Sequence, residues 1–291
     1  MNYLNANDFS EESIIFVRQF IDQCVLNPTL NLDLKSSSKS PMNIDFSSID
    51  NTTPEGAKFN AVYDALKTSP EFKSLFIDLF QNNNRINVEF KIGSVNNGAN
   101  GNTSVIIGGF PICNTITISP AFLNSANKME IAKTILHECI HAFLNIKLYD
   151  TGQGAAVSTL NNEQLFNVIN QQYNGFSGSQ DQHNFIYTYM LPTMLQILSD
   201  VKDTLVTPAN NLEMNDVVVH IPYNNSPETR FVWADYFHNL SLNGLQNCSF
   251  FQNEIGIVEV INGLITPVNT INQTLMQSFI QYSIVSVNIH P

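Results

Sequence analysis

Between Asn127 and Leu148 the chain carries one long segment whose apolar residues fall on nearly every side of a helix. Ile131, Ala132, Ile135, Leu136, Cys139, Ile140, Ala142, Phe143 and Leu144 cover most of the circumference, so a helix built here has to be buried. Asn127, with Glu130 three residues on, forms a capping pair at its start. A helix with no solvent face demands a fold that covers it from several directions. It also makes each polar residue inside it an exception, because an unpaired buried His or Glu is costly.

The exceptions are ordered as His137-Glu138-Cys139-Ile140-His141, a His-Glu-x-x-His pattern. Four helical residues turn the chain by about 400° and raise it by about 6 Å, so the two imidazoles project from one face and can share one ion. Glu138 lies about 100° further round, beside that ion, where a carboxylate can take a proton from an activated water. Cys139, about 200° from His137, points into the core and is not a ligand. With six histidines in 291 residues, chance would supply such a pentad roughly 0.005 times. A catalytic zinc needs a third protein ligand and one open position. His183, opening the next apolar helix, is the leading candidate, with Asp181 or Glu163 as carboxylate alternatives. Tyr187, one turn beyond His183, is expected to point into the same cleft and contribute to catalysis.

Around this segment the pattern is mixed. The first third reads as helices: one capped by Asp8, then, after a Ser/Asn/Asp-rich loop over 32–53, one after Thr53-Pro54 and one after Ser69-Pro70. Val88, Phe90 and Ile92 alternate with polar residues, the Asn/Gly-rich stretch 96–103 intervenes, and Val105-Ile106-Ile107 resumes, which reads as a hairpin. Thr115–Ile118 adds a third antiparallel strand. A second apolar helix spans about 181–205, with Pro192 expected to kink or divide it. Further on come strand-like 217–219 and 255–258 and a helix over about 271–282. The expected organisation is an N-terminal helical region (1–84), a catalytic core (85–208) and a mixed C-terminal extension (209–291).

Composition excludes several classes. Thirteen Lys plus Arg against 25 Asp plus Glu leave a net charge of −12, which repels phosphate backbones, so nucleic acid is not an expected partner. No apolar run is long enough to cross a bilayer, and Met1–Asp8 lacks the basic-then-apolar order of a signal peptide. A soluble chain is expected; a mature domain of a longer secreted or cell-surface bacterial protein would read the same way. Cys24, Cys113, Cys139 and Cys248 form no Cys-x-x-Cys pair and read as buried thiols, with one disulfide left open. His220 reads as a strand residue and His238 as structural, His290 is terminal, and Arg230 and Tyr223 are candidate oxyanion stabilisers.

Thr134 through Leu144, preceded by the strands and followed by His183-Asn184-Phe185 and the aromatic stretch Asp235 to Leu245, resembles the SprT-like zinc metallopeptidases, especially those of Bacteroidetes bacteria. The resemblance covers roughly 85–250. It implies an α+β zincin-like core, with a small antiparallel sheet packed on the His-Glu-x-x-His helix and further helices flanking it. It also implies zinc on His137, His141 and His183, Glu138 as the base, and a peptide or protein substrate. The chain lacks the Cys-rich zinc ribbon of some such proteins. Two other readings use the same residues: a zinc-stabilised binding or adhesion module without turnover, and a secreted toxin-like protease with one narrow substrate.

Overall fold

Three helices begin as their capping residues dictate. The Thr53 hydroxyl accepts from the Gly56 amide at 3.1 Å to open α1 (Pro54–Leu66), and Ser69 accepts from Phe72 to open α2 (Pro70–Phe72), which continues as a π-helical turn over Lys73–Ile77. Asn127 and Glu130 exchange two bonds of 2.9 Å, each side chain accepting from the other's amide, to open the long helix α4 (Lys128–Leu148). The computed structural model describes residues 43–77, 86–95, 98–106, 112–148, 182–219, 229–261, 264–285 and 289. The helix expected after Asp8 lies outside them.

The chain is mixed α/β with small sheets. The main sheet holds β1 (Asn43–Asp45), β2 (Ile86–Ile92), β3 (Gly101–Ile106) and β4 (Ile112–Ile118) in the order β1-β2-β4-β3. Two expectations are corrected. The segment read as loop over 32–53 contributes β1, which pairs in parallel with β2. The strands read as a hairpin, β2 and β3, are not neighbours: β4 lies between them, parallel to β2 and antiparallel to β3, so the sheet is mixed rather than antiparallel. Period-two alternation shows which face of a strand is buried and says nothing of which strand lies beside it.

The buried face of that sheet carries Val88, Phe90, Asn114, Ile116 and Ile118. Phe90 meets Phe46, Phe59, Tyr63 and Phe76 at ring distances of 5.3–6.0 Å, tying β2 to the residue after β1, to α1 and to the π-helical turn after α2. The helix α4 packs on β3 and β4, and every residue from Ile131 to Ile140 is buried, as its all-round apolar surface requires. The short α3 (Pro120–Ser125) connects β4 to α4.

On the other side of α4, α5 (Gln182–Phe185) runs through a π-helical turn, Ile186–Met190, into α6 (Leu191–Leu205). The interruption foreseen from Pro192 therefore falls just before it, with the proline in the first turn of α6, where its missing N–H costs nothing. Then follow α7 (Pro208–Asn215), β5 (Val218–Val219) paired with β6 (Thr229–Arg230), α8 (Trp233–Leu242) and α9 (Ser249–Glu254). A hairpin of β7 (Gly256–Ile261) and β8 (Leu264–Thr270) and the helix α10 (Gln273–Val285) complete the described chain. The buried apolar residues form one cluster reaching from Ile49 to Ile289. Among the described residues, no helix is long and apolar enough to cross a membrane. Cys113, Cys139 and Cys248 are free thiols.

Candidate metal centre

On α4, Lys133, His137, His141 and Asn145 are spaced four apart and therefore lie along one face. This face forms the floor of a cleft of about 660 Å³. One wall is β3 with the residues before it, from Gly98 to Thr103; another is Gln182 and His183 at the start of α5; Asn243 and Gly244, just after α8, line it beside Lys133.

Three imidazoles converge there. Ring centroids are 4.8 Å apart for His137 and His141, 5.4 Å for His137 and His183, and 5.0 Å for His141 and His183. One ligand-type nitrogen from each lies within 4.8 Å of the others, close enough to hold a metal ion. Nε2 of His137 and Nε2 of His141 are 3.2 Å apart. Nitrogens at about 2.0–2.1 Å from a tetrahedral zinc sit about 3.3 Å from each other, so this pair has the spacing of two ligands on one ion.

The tautomer of His141 is set by a chain of amides. Asn145 donates through Nδ2 to Asn114 Oδ1 (2.9 Å), Gln182 donates through Nε2 to Asn145 Oδ1 (3.0 Å), and Gln182 Oε1 lies 2.5 Å from His141 Nδ1. With the Gln182 amide turned this way, its oxygen faces the ring, His141 Nδ1 carries the hydrogen, and Nε2 presents a lone pair to the cluster. His137 is held differently. It is buried, its Nδ1 has no hydrogen-bond partner among the described residues, and burial first, then Lys133 and the neighbouring imidazoles, holds its pKa well below the usual histidine value. A neutral ring is the form that binds a metal.

Glu138 is 6% exposed and is clamped from β3. The Thr103 hydroxyl lies 2.7 Å from Glu138 Oε2 and 2.9 Å from its backbone oxygen. Gly101 lets the strand come this near: a Cβ there would stand 3.0 Å from Glu138 Cγ. Burial raises the Glu138 pKa, opposed by the Thr103 bond and by the charge of Lys133. A carboxyl lifted in this way has the profile of a proton acceptor that can also return the proton. Lys133 is itself buried; its Nζ donates to the backbone oxygen of Asn243, and burial pulls its pKa down to about 8.

Of the residues singled out from sequence, His137, Glu138, His141 and His183 all line this cleft, and Cys139 is fully buried in the core. Tyr187 does not line it. Its hydroxyl donates to Glu254 Oε2 at 2.9 Å and its ring stacks on Phe250. The side chain is held instead against α9 (Ser249–Glu254), which supplies both partners. Arg230 is exposed on β6, and His238 is partly buried on α8; neither lines the cleft. Asp181, Glu163, His220, Tyr223 and His290 lie outside the described residues.

Thr103, Lys133, Asn145, Gln182 and Gly244 were missed. Two of them left a signal, since Lys133 and Asn145 continue the four-residue spacing of the histidines on a helix that is otherwise apolar. Comparisons of the chain with protein-family models, with curated proteins and with solved structures find no match.

Proposed function

We propose that this chain is a zinc-dependent peptidase, with His137, His141 and His183 as the metal ligands and Glu138 as the general base. The observation that carries the reading is the convergence of three imidazoles on one point, with a buried, clamped carboxylate on the adjoining helix position. Three neutral nitrogens, two of them 3.2 Å apart, suit zinc, which prefers imidazole in a tetrahedral site and tolerates an open fourth position. Zinc, when bound, would acidify a water and polarise a carbonyl. Glu138 takes the proton from the attacking water and then delivers it to the leaving amine. Thr103 keeps the Glu138 carboxylate turned to the cleft during both transfers.

A peptide substrate suits the wall formed by β3. Among the described residues this strand pairs with β4 alone, leaving one edge whose backbone groups an extended chain can join. The zincin-like core and the kinship with SprT-like peptidases belong to this same reading, supported by the order of strands, His-Glu-x-x-His helix and His183 helix. Chelation is the test: the purified protein should lose cleavage of an unfolded protein mixture on metal removal and regain it with one equivalent of zinc. Cleavage that survives complete metal removal would overturn the reading.

A further inference from the structure

Among the described residues, the one cation of the cleft makes no ion pair. Apart from the imidazoles, its lining holds one carboxylate, Glu138, and one cation, Lys133; the rest are small or neutral residues. An ammonium carries three donors, and the bond that the structure gives Lys133 is to the Asn243 backbone oxygen. Burial of a cation in a site without an anion touching it is costly, and a chain with only 13 Lys and Arg among 291 residues has placed one of them here.

Position narrows the role. Lys133 is one helical turn before His137, on the same face. Gly244, at φ +92°, has the left-handed backbone that favours glycine, and a Cβ built on it would lie 3.5 Å from Lys133 Nζ and 3.7 Å from His137 Nε2. The ammonium and the metal-facing nitrogen therefore border the same small space, which the absence of a side chain at Gly244 leaves open.

We propose that Lys133 is a catalytic residue that binds the substrate's carbonyl oxygen as it gains negative charge. This rests on the peptidase reading and adds a donor from the protein to the polarisation that zinc would supply. When water adds to the carbonyl carbon, the C=O π pair moves onto oxygen. The Lys133 N–H groups receive that oxygen, and the pair returns to re-form C=O as the C–N bond breaks. Lys133 keeps its proton throughout; the water's proton travels by Glu138 to the amine. A fixed donor aimed at developing charge in this way is worth about 10²–10³ in rate.

The test compares wild type with Lys133→Met, of similar shape without charge, and Lys133→Arg, each loaded with zinc and checked for one metal per chain and an intact melting transition. Inorganic phosphate, a tetrahedral anion, is titrated into each by calorimetry. Lys133→Met should bind it at least tenfold more weakly, with Lys133→Arg in between. On a cleaved protein substrate, kcat should fall about 100-fold in Lys133→Met with KM nearly unchanged. Equal phosphate affinity and equal kcat in wild type and Lys133→Met would overturn the assignment while leaving the peptidase reading intact. A rise in KM alone would overturn it in favour of Lys133 holding a substrate carboxylate. Lys133-dependent phosphate binding by a wild type that cleaves nothing would instead sink the peptidase reading, and with it the catalytic role, leaving an anion site.

Discussion

The Thr103 hydroxyl stands 2.7 Å from the carboxylate of Glu138 and 2.9 Å from the same residue's backbone oxygen, so an edge strand and the central helix are joined at the residue proposed to move the proton. The bond has two effects. It fixes which way the carboxylate faces, and it lowers a pKa that burial would otherwise raise further.

Thr103→Val keeps the shape and deletes the hydroxyl. With the carboxylate free to rotate, kcat should drop about 10- to 100-fold, since small misplacements of a reacting group carry penalties of that size. Loss of a bond that favours the charged form raises the Glu138 pKa. The base works ionised, so the acidic limb of the pH profile of kcat/KM should move to higher pH. A zinc-loaded variant with unchanged kcat and an unmoved limb would show that Thr103 does not position Glu138.

The amide chain from Asn114 through Asn145 and Gln182 ends on His141 Nδ1. Gln182→Leu removes the acceptor that holds the ring, and metal affinity should fall about 10- to 100-fold. Competition against a chromophoric chelator measures this directly. Affinity equal to wild type would mean that the ring is oriented by its packing alone.

Tyr187→Phe tests the placement of that residue. Its hydroxyl serves Glu254 rather than the cleft, so turnover should match wild type. Stability should change by no more than about 1 kcal/mol, the net worth of one hydrogen bond. A fall in kcat of tenfold or more with normal stability would return Tyr187 to the reaction.

Two histidines, one buried and one partly buried, contribute an acid-side loss of stability to the metal-free protein. His238 on α8 is held below the ordinary histidine pKa mainly by desolvation, and so is His137. Both then bind a proton more weakly in the folded chain than in the unfolded one. Their contribution to stability is complete above about pH 6.5 and is lost progressively as the pH falls below it. Thermal melts of chelator-treated protein at pH 7.5 and 5.5 should show the decline, and His238→Gln should reduce it. An identical drop in wild type and variant would remove His238 from this account.

Much of this was legible in the residues, and what was not has definite causes. The capping residues Thr53, Ser69 and Asn127 announced their helices because a cap is a local device. The all-round apolar surface of α4 announced its burial, and within it the spacing of His137 and His141 announced a shared face. The order of strands was hidden, since the insertion of β4 between β2 and β3 depends on contacts far apart in the chain. Tyr187 was misplaced because the residues that hold it, Glu254 and Phe250, lie far along the chain. Thr103 and Gln182 were invisible for a related reason. A threonine in a strand and a glutamine before a histidine acquire their roles only when the sheet and α5 close over α4.

The central claim is that Glu138 moves the proton in a metal-assisted hydrolysis, and Glu138→Gln isolates it, since the amide keeps the shape and cannot accept that proton. Zinc-loaded wild type and Glu138→Gln, with equal metal content, are incubated with an unfolded protein mixture, and new peptide termini are counted by mass spectrometry. The account predicts termini from wild type and a rate at least about 10²-fold lower from the variant. Equal cleavage by both, or none by the zinc-loaded wild type, would contradict it.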